Sequence, residues 1–100
     1  MNLLIPVDCN SRHEALITTL DSSKDWAFVE LEDGQIIECK FYKDRKDIEA
    51  WVETVVVINE LEYIWQFQED GIAVLVAPTQ RSIDEIVEAF LFSELHDLSV

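Results

Sequence analysis

Glycine is scarce in this 100-residue chain, where Gly34 and Gly71 are the only two. A P-loop or a dinucleotide fingerprint needs glycines a few residues apart, so neither phosphate cradle can be built. Proline is equally rare, and with 49% hydrophobic residues a linker-rich or disordered chain is excluded. Cys9 and Cys39 are the only cysteines, thirty residues apart, with no C-x-x-C spacing and no disulfide framework. No apolar run approaches the ~20 residues of a membrane span. The opening Met1–Pro6 lacks the basic head and length of a signal peptide. Cations are few as well: seven Lys and Arg face 21 Asp and Glu, for a net charge of −14. Such a field repels nucleic acid, phosphorylated ligands and anionic lipid, so neither nucleic acid nor membrane is expected as a partner. A chain of this length buries roughly two thirds of its unfolded surface without disulfides. The expectation is a single acidic, cytoplasmic domain over residues 1–100, monomeric or homodimeric.

The charge that is present is uneven. Residues 1–46 carry six of the seven cations and nine acids, whereas residues 47–100 carry Arg81 alone against twelve acids. An acidic surface of this kind is either a solvated face or a dock for a basic partner. The cation–aromatic stretch Lys40–Lys46 reads as a strand end followed by a solvated turn.

The apolar pattern organises the chain. Leu3–Val7 is a nearly continuous apolar run, as in a strand buried on both faces, with Pro6 marking an edge or break near its end. Ser11-Arg12-His13-Glu14 has the spacing of a capping box, and Ala15, Leu16, Thr19 and Leu20 continue it at helical spacing. Trp26–Leu31 and Gln35–Phe41 are rich in strand formers and flank Asp33-Gly34, a strong hairpin signal. In the second strand Ile37, Cys39 and Phe41 share one face and Glu38 and Lys40 the other, which makes Cys39 a small core residue. Ile48, Trp51 and Val52 predict a helix of two to three turns over 44–53. Thr54–Ile58 is a buried strand. Asn59, with Glu62 three residues on, opens a helix carrying Leu61, Ile64, Trp65 and Gln68 on one face, with Gly71 at its C-terminal cap. Tyr63 and Phe67 lie on the opposite face, either buried under a neighbour or exposed as a contact strip. Ile72–Val76 is a further buried strand. Ser82-Ile83-Asp84-Glu85 is a second capping box, and it opens a helix with Ile83, Ile86, Val87, Phe90 and Leu91 inward. A frayed tail is expected over Leu95–Val100. The alternation of helices and strands in the second half implies crossover helices on a mixed sheet, an α/β fold.

Taken together, Ile5-Pro6-Val7-Asp8, Val55–Ile58, Gln68–Val74 and Ser82–Leu91 resemble the dinitrogenase iron–molybdenum cofactor biosynthesis family, the NifX/NifY-like accessory proteins. The likeness spans nearly the whole chain and is most specific in its last third. It implies a ribonuclease H-like α/β fold with five strands in the order 3-2-1-4-5, strand 2 antiparallel. It also implies a non-enzymatic accessory role, binding or carrying an iron–sulfur or iron–molybdenum cluster, with a cluster donor or acceptor protein as partner. Where the family has a glycine-rich turn after the fourth strand, this chain has Asn59-Glu60-Leu61, so a degenerate relative of such carriers is the other form of that reading.

Ligands of open α/β sheets sit at the carboxyl ends of the strands. Cys9, just past the first strand, is therefore the candidate metal ligand, with Asp8, His13 and Asn59 as further candidate cofactor contacts. His96 reads as surface. Asp8 and Glu60 fall short of the three or four converging acids that two-metal phosphoryl chemistry requires. The rival to the carrier reading is an acidic protein-interaction module that has lost cluster binding and docks a basic partner.

Overall fold

The computed structural model describes residues 1–98, which fold into one mixed sheet with helices on both faces. Its elements are β1 (Asn2–Val7), β2 (Asp25–Glu32), β3 (Gln35–Tyr42), β4 (Thr54–Val57), α1 (Trp65–Glu69), β5 (Ala73–Val76), α2 (Ile83–Leu91) and β6 (His96–Asp97). The strand order is β3-β2-β1-β4-β5-β6. β2 runs antiparallel to both its neighbours, whereas β1, β4 and β5 are parallel. The sheet therefore has six strands, not the expected five. The extra one is β6, whose His96 and Asp97 pair antiparallel with Val76 and Leu75, so that part of the expected frayed tail is ordered. The remainder of that tail, Ser99 and Val100, lies outside the described residues.

Alternation along β1 divides the interior in two. Leu3, Ile5 and Val7 face α2, whose Ile83, Ile86 and Val87 meet them together with Ala27, Val29 and Val56. Leu4 faces the other way, into a cluster with Phe28, Val55, Val57, Phe67 and Val74. A strand buried on both faces reads as an unbroken apolar run for this reason. The ladder from β1 to β4 pairs Leu3 with Thr54 and Leu4 with Val55, and stops short of Pro6.

The hairpin forms as its turn chemistry dictates. Asp33 and Gly34 adopt φ of 52° and 76°, the two left-handed positions that a type I′ turn requires. A bulge opposite Glu30/Leu31 shifts the register of β3. Cys39 and Phe41 keep the inward face, but Ile36 replaces Ile37 there and Ile37 turns out to solvent. The second capping box is also complete: Ser82 Oγ accepts from the Glu85 amide and the Glu85 carboxylate accepts from the Ser82 amide, both at 3.1 Å. Of the residues expected inward on α2, Leu91 is exposed.

Two predicted helices do not form. After Ser11 a single turn closes, with Glu14 and Ala15 amides both donating to the Ser11 carbonyl. The chain then runs extended through Leu16–Thr18, because the backbone of Leu16 is taken by Asp8 and that of Ile17 by Arg81. Over 44–53 only a 3-10 turn, Arg45–Asp47, appears. Downstream, the Asn2 side chain donates to the Trp51 carbonyl and accepts from the Glu53 amide, both at 2.8 Å, which pins the segment in extended form.

α1 is short. Asn59 does not cap it; its carboxamide oxygen accepts from the Leu61 amide in a local turn, and the helix begins at Trp65. Gly71, at φ 74°, does terminate it. Of the residues expected inward, Ile64 packs against the core but Leu61 and Trp65 are exposed; Phe67, from the opposite face, is fully buried, and Tyr63 is exposed.

Candidate functional site

The carboxyl ends of β1, β4 and β5 share one edge of the sheet, because the three strands are parallel. The connection after β1 leads to β2 on one side, while β4 lies on the other, so the switch point of the topology falls between β1 and β4. That crevice is filled by the chain itself. Ile17 bridges to Val7 on the side of β1 away from β2, and Leu16 bridges onward to Ser82. Thr18 donates to the Pro6 carbonyl at 2.9 Å, and Ile17 donates to the Arg81 carbonyl at 2.9 Å. The segment Leu16–Thr18 thus stitches the end of β1 to the start of α2, where an open α/β sheet would otherwise receive a ligand.

The four candidate residues are dispersed around this plug. Asp8 is spent on it: its amide donates to the Leu16 carbonyl at 3.1 Å and its Oδ1 accepts from the Leu16 amide at 2.9 Å. Cys9 is half-buried and packs against the α2-side core as a free thiol. His13 is 80% exposed and points to Asp84 of α2, Nδ1 to Oδ2 at 4.0 Å. Asn59 lies beyond β4, with its side chain turned back to its own loop. Among the described residues no three His, Cys, Asp or Glu side chains come together in a way that could hold a metal ion.

Asp84 has a firmer partner in Arg12, whose Nη2 reaches its Oδ1 at 2.6 Å. The other terminal nitrogen, Nη1, is buried without a hydrogen-bond partner. It is a donor, and it adds nothing to a set of metal ligands. Cys39 lies near this pair. Burial pushes its thiol above the ordinary 9.0, with Arg12 opposing and Asp84 reinforcing the shift. A thiol held protonated is a poor metal ligand.

An iron–sulfur or iron–molybdenum cluster needs several soft, deprotonated donors converging on one point. This donor set is one half-buried thiol, one hydrogen-bonded carboxylate, one exposed imidazole and a carboxamide elsewhere. It does not fit such a group.

A cleft of about 350 Å³ lies away from this edge, lined by Phe28, Glu30, Lys40, Tyr42, Asp47, Glu49 and Ala50; two others lie near the ends of the parallel strands. One, of about 340 Å³ at the ends of β4 and β5, is lined by Ile58, Asn59, Glu60, Leu61, Val76, Pro78 and His96. A second, of about 230 Å³, is lined by Leu20, Asp21, Leu61, Glu62, Tyr63 and Gln66. Glu62 fixes its shape by accepting from the Leu20 amide at 2.7 Å. Leu61 is the wall between them and is 93% exposed; Tyr63 and Trp65 beside it are 72% and 55% exposed, their rings 6.5 Å apart. Exposure of Tyr63 is one of the two outcomes the sequence offered for it; the exposure of Leu61 and Trp65, expected inward, was not foreseen. No residue lining either of these two clefts is Lys or Arg.

No protein-family profile matches the chain, and no curated protein matches its sequence. Solved structures do match its fold. A crystal structure of a candidate dinitrogenase from Methanocaldococcus jannaschii superposes with a TM-score of 0.78 at 17% identity, covering 99% of this chain and 95% of the other. The NMR structure of that same protein gives 0.77 at 16%, covering 100% and 94%. A candidate NifB protein from Thermotoga gives 0.69 at 14%, covering 99% and 94%. The shared fold runs end to end. No helix among the described residues is long and apolar enough to cross a membrane.

Proposed function

We propose that this chain is a non-enzymatic accessory protein of the dinitrogenase iron–molybdenum cofactor biosynthesis type. In this reading it is a NifX/NifY-like scaffold on the ribonuclease H-like plan that docks a basic partner protein and holds no cluster in its own side chains. The nitrogenase association draws on the sequence resemblance together with the end-to-end likeness of fold to proteins described in those terms. The observation that carries the choice between carrier and docking module is the dispersal of Asp8, Cys9, His13 and Asn59 around the Leu16–Thr18 plug. The net charge of −14 supports the same choice, since it disfavours an anionic cluster and favours a cationic protein surface.

Binding of polylysine and polyglutamate, followed by tryptophan fluorescence at low and high salt, tests the docking reading. Saturable binding of polylysine alone, weakened by salt, is the expected result. Equal indifference to both polymers at low salt would refute it.

A further inference from the structure

Resting on that docking reading, we infer that the partner is gripped at one place, the Leu61 ridge and its two flanking clefts, by an extended segment that alternates Arg or Lys with apolar residues. Four observations meet there. First, Leu61, Tyr63 and Trp65 leave three large apolar side chains exposed within five residues, the composition of an interface anchor. Second, the acids around them, Asp21, Glu60 and Glu62, have no Lys or Arg beside them on the cleft walls. Third, both clefts fall at or below the low end of small-molecule sites, about 300–1,000 Å³, and so suit single side chains better than a cofactor.

The fourth observation is a guanidinium already held by α1, the helix that follows the ridge. Arg45 lies over the Phe67 ring at 4.8 Å and reaches Asp70 at 3.4 Å. Ring and carboxylate grip that cation together. Tyr63 shares a cleft wall with Asp21 and Glu62, and Glu60 lines the cleft on the other side of Leu61, so an exposed ring and carboxylates again lie together. A long basic side chain would lay its methylenes on Leu61 and deliver its charge to the rim acids. A second copy of the chain carries the same net charge of −14, so long-range charge favours a different, cationic occupant.

The probe is a capped peptide of alternating Arg and Leu, titrated into the isotopically labelled protein and followed by amide chemical shifts. Shift changes are expected over residues 58–66 and at Leu20 and Asp21. Leu61→Ser, at a site too exposed to threaten folding, is expected to weaken binding about fivefold or more, equivalent to one anchoring side chain. Glu60→Gln is expected to flatten the salt dependence, and Glu88→Gln, on the exposed face of α2, to change affinity less than twofold. Changes centred on α2, unaffected by Leu61→Ser, would overturn this site while leaving the docking reading intact. No change anywhere at low salt would overturn both. Concentration-dependent self-association of the protein alone, abolished by Leu61→Ser, would assign the ridge to a second copy and refute the basic occupant.

Discussion

Replacing Phe67 by Ala asks whether the Leu61 ridge is built on a single buried anchor. α1 has five residues, far below the ~12–15 at which an isolated helix becomes even marginal in water. Its position must therefore come from packing, and Phe67 is its one buried residue. The ring meets Trp26 edge-on at 6.4 Å and lies among Leu4, Phe28, Val55, Val57 and Val74, with Arg45 over its face. Truncating a buried Phe to Ala costs about 3–5 kcal/mol. Of that, about 0.5–1.5 kcal/mol belongs to the aromatic pair and about 0.5–1 kcal/mol to the guanidinium stack. Phe67→Leu keeps most of the volume and should cost about 1.5 kcal/mol. At about 4–8 °C per kcal/mol for a domain of this size, the Ala variant should melt at least ~12 °C lower. Urea unfolding followed by tryptophan fluorescence supplies the free energies, with the midpoint falling and the slope unchanged. A loss below about 1 kcal/mol for Phe67→Ala would refute the reasoning, because the ridge would then be held by something other than this contact.

Other perturbations probe the supports of the fold. Asn2→Ala strands the Trp51 carbonyl and the Glu53 amide, and should cost about 2 kcal/mol with increased amide exchange at Glu53. Ser82→Ala removes the α2 cap and should cost about 1 kcal/mol by chemical unfolding. Glu85 adds a pH dependence, since hydrogen bonds from the Ser82 amide and hydroxyl hold its carboxyl below the ordinary 4.5. A folded pKa below the unfolded one gives stability that is present above about pH 4.5 and lost as pH falls through the folded value. Glu85→Gln should flatten that part of the acid limb in a pH series of unfolding curves, and an unchanged acid limb would contradict the assignment.

Much of the scaffold was legible because its signals are local. Asp33-Gly34 specifies its turn through backbone conformation alone, and Ser82 with Glu85 closes a cap within one helical turn. The apolar runs of β1 and β4 follow from burial on both faces, whereas β5 buries Val74 and Val76 on one face and leaves Ala73 and Leu75 half-buried on the other. What sequence reading missed depends on partners distant in the chain. Asp8 captures the Leu16 amide and Arg81 the Ile17 amide, so the turn that begins at Ser11 cannot propagate as a helix. Asn2, on the neighbouring strand β1, ties down residues 51–53, against the helical spacing of Ile48, Trp51 and Val52. The bulge that expels Ile37 is a matter of register between β2 and β3. β6 rests on two residues whose own composition carries no strand signal. Proximity along the chain suggested a site at Asp8, Cys9 and His13, but His13 stands exposed on the side of Asp84 of α2 and the plug consumes Asp8. The cue that did point to the alternative was Tyr63, offered with Phe67 as an exposed contact strip; Phe67 instead turns inward, and Leu61 and Trp65 stand exposed against expectation.

The most direct test of the central claim is anaerobic purification with iron, molybdenum and sulfide quantified per chain, for the natural sequence and for Cys9→Ser. Dispersed ligands predict substoichiometric metal that is the same in both proteins. Near-stoichiometric iron or molybdenum that disappears in Cys9→Ser would contradict the account and place a cluster at the end of β1.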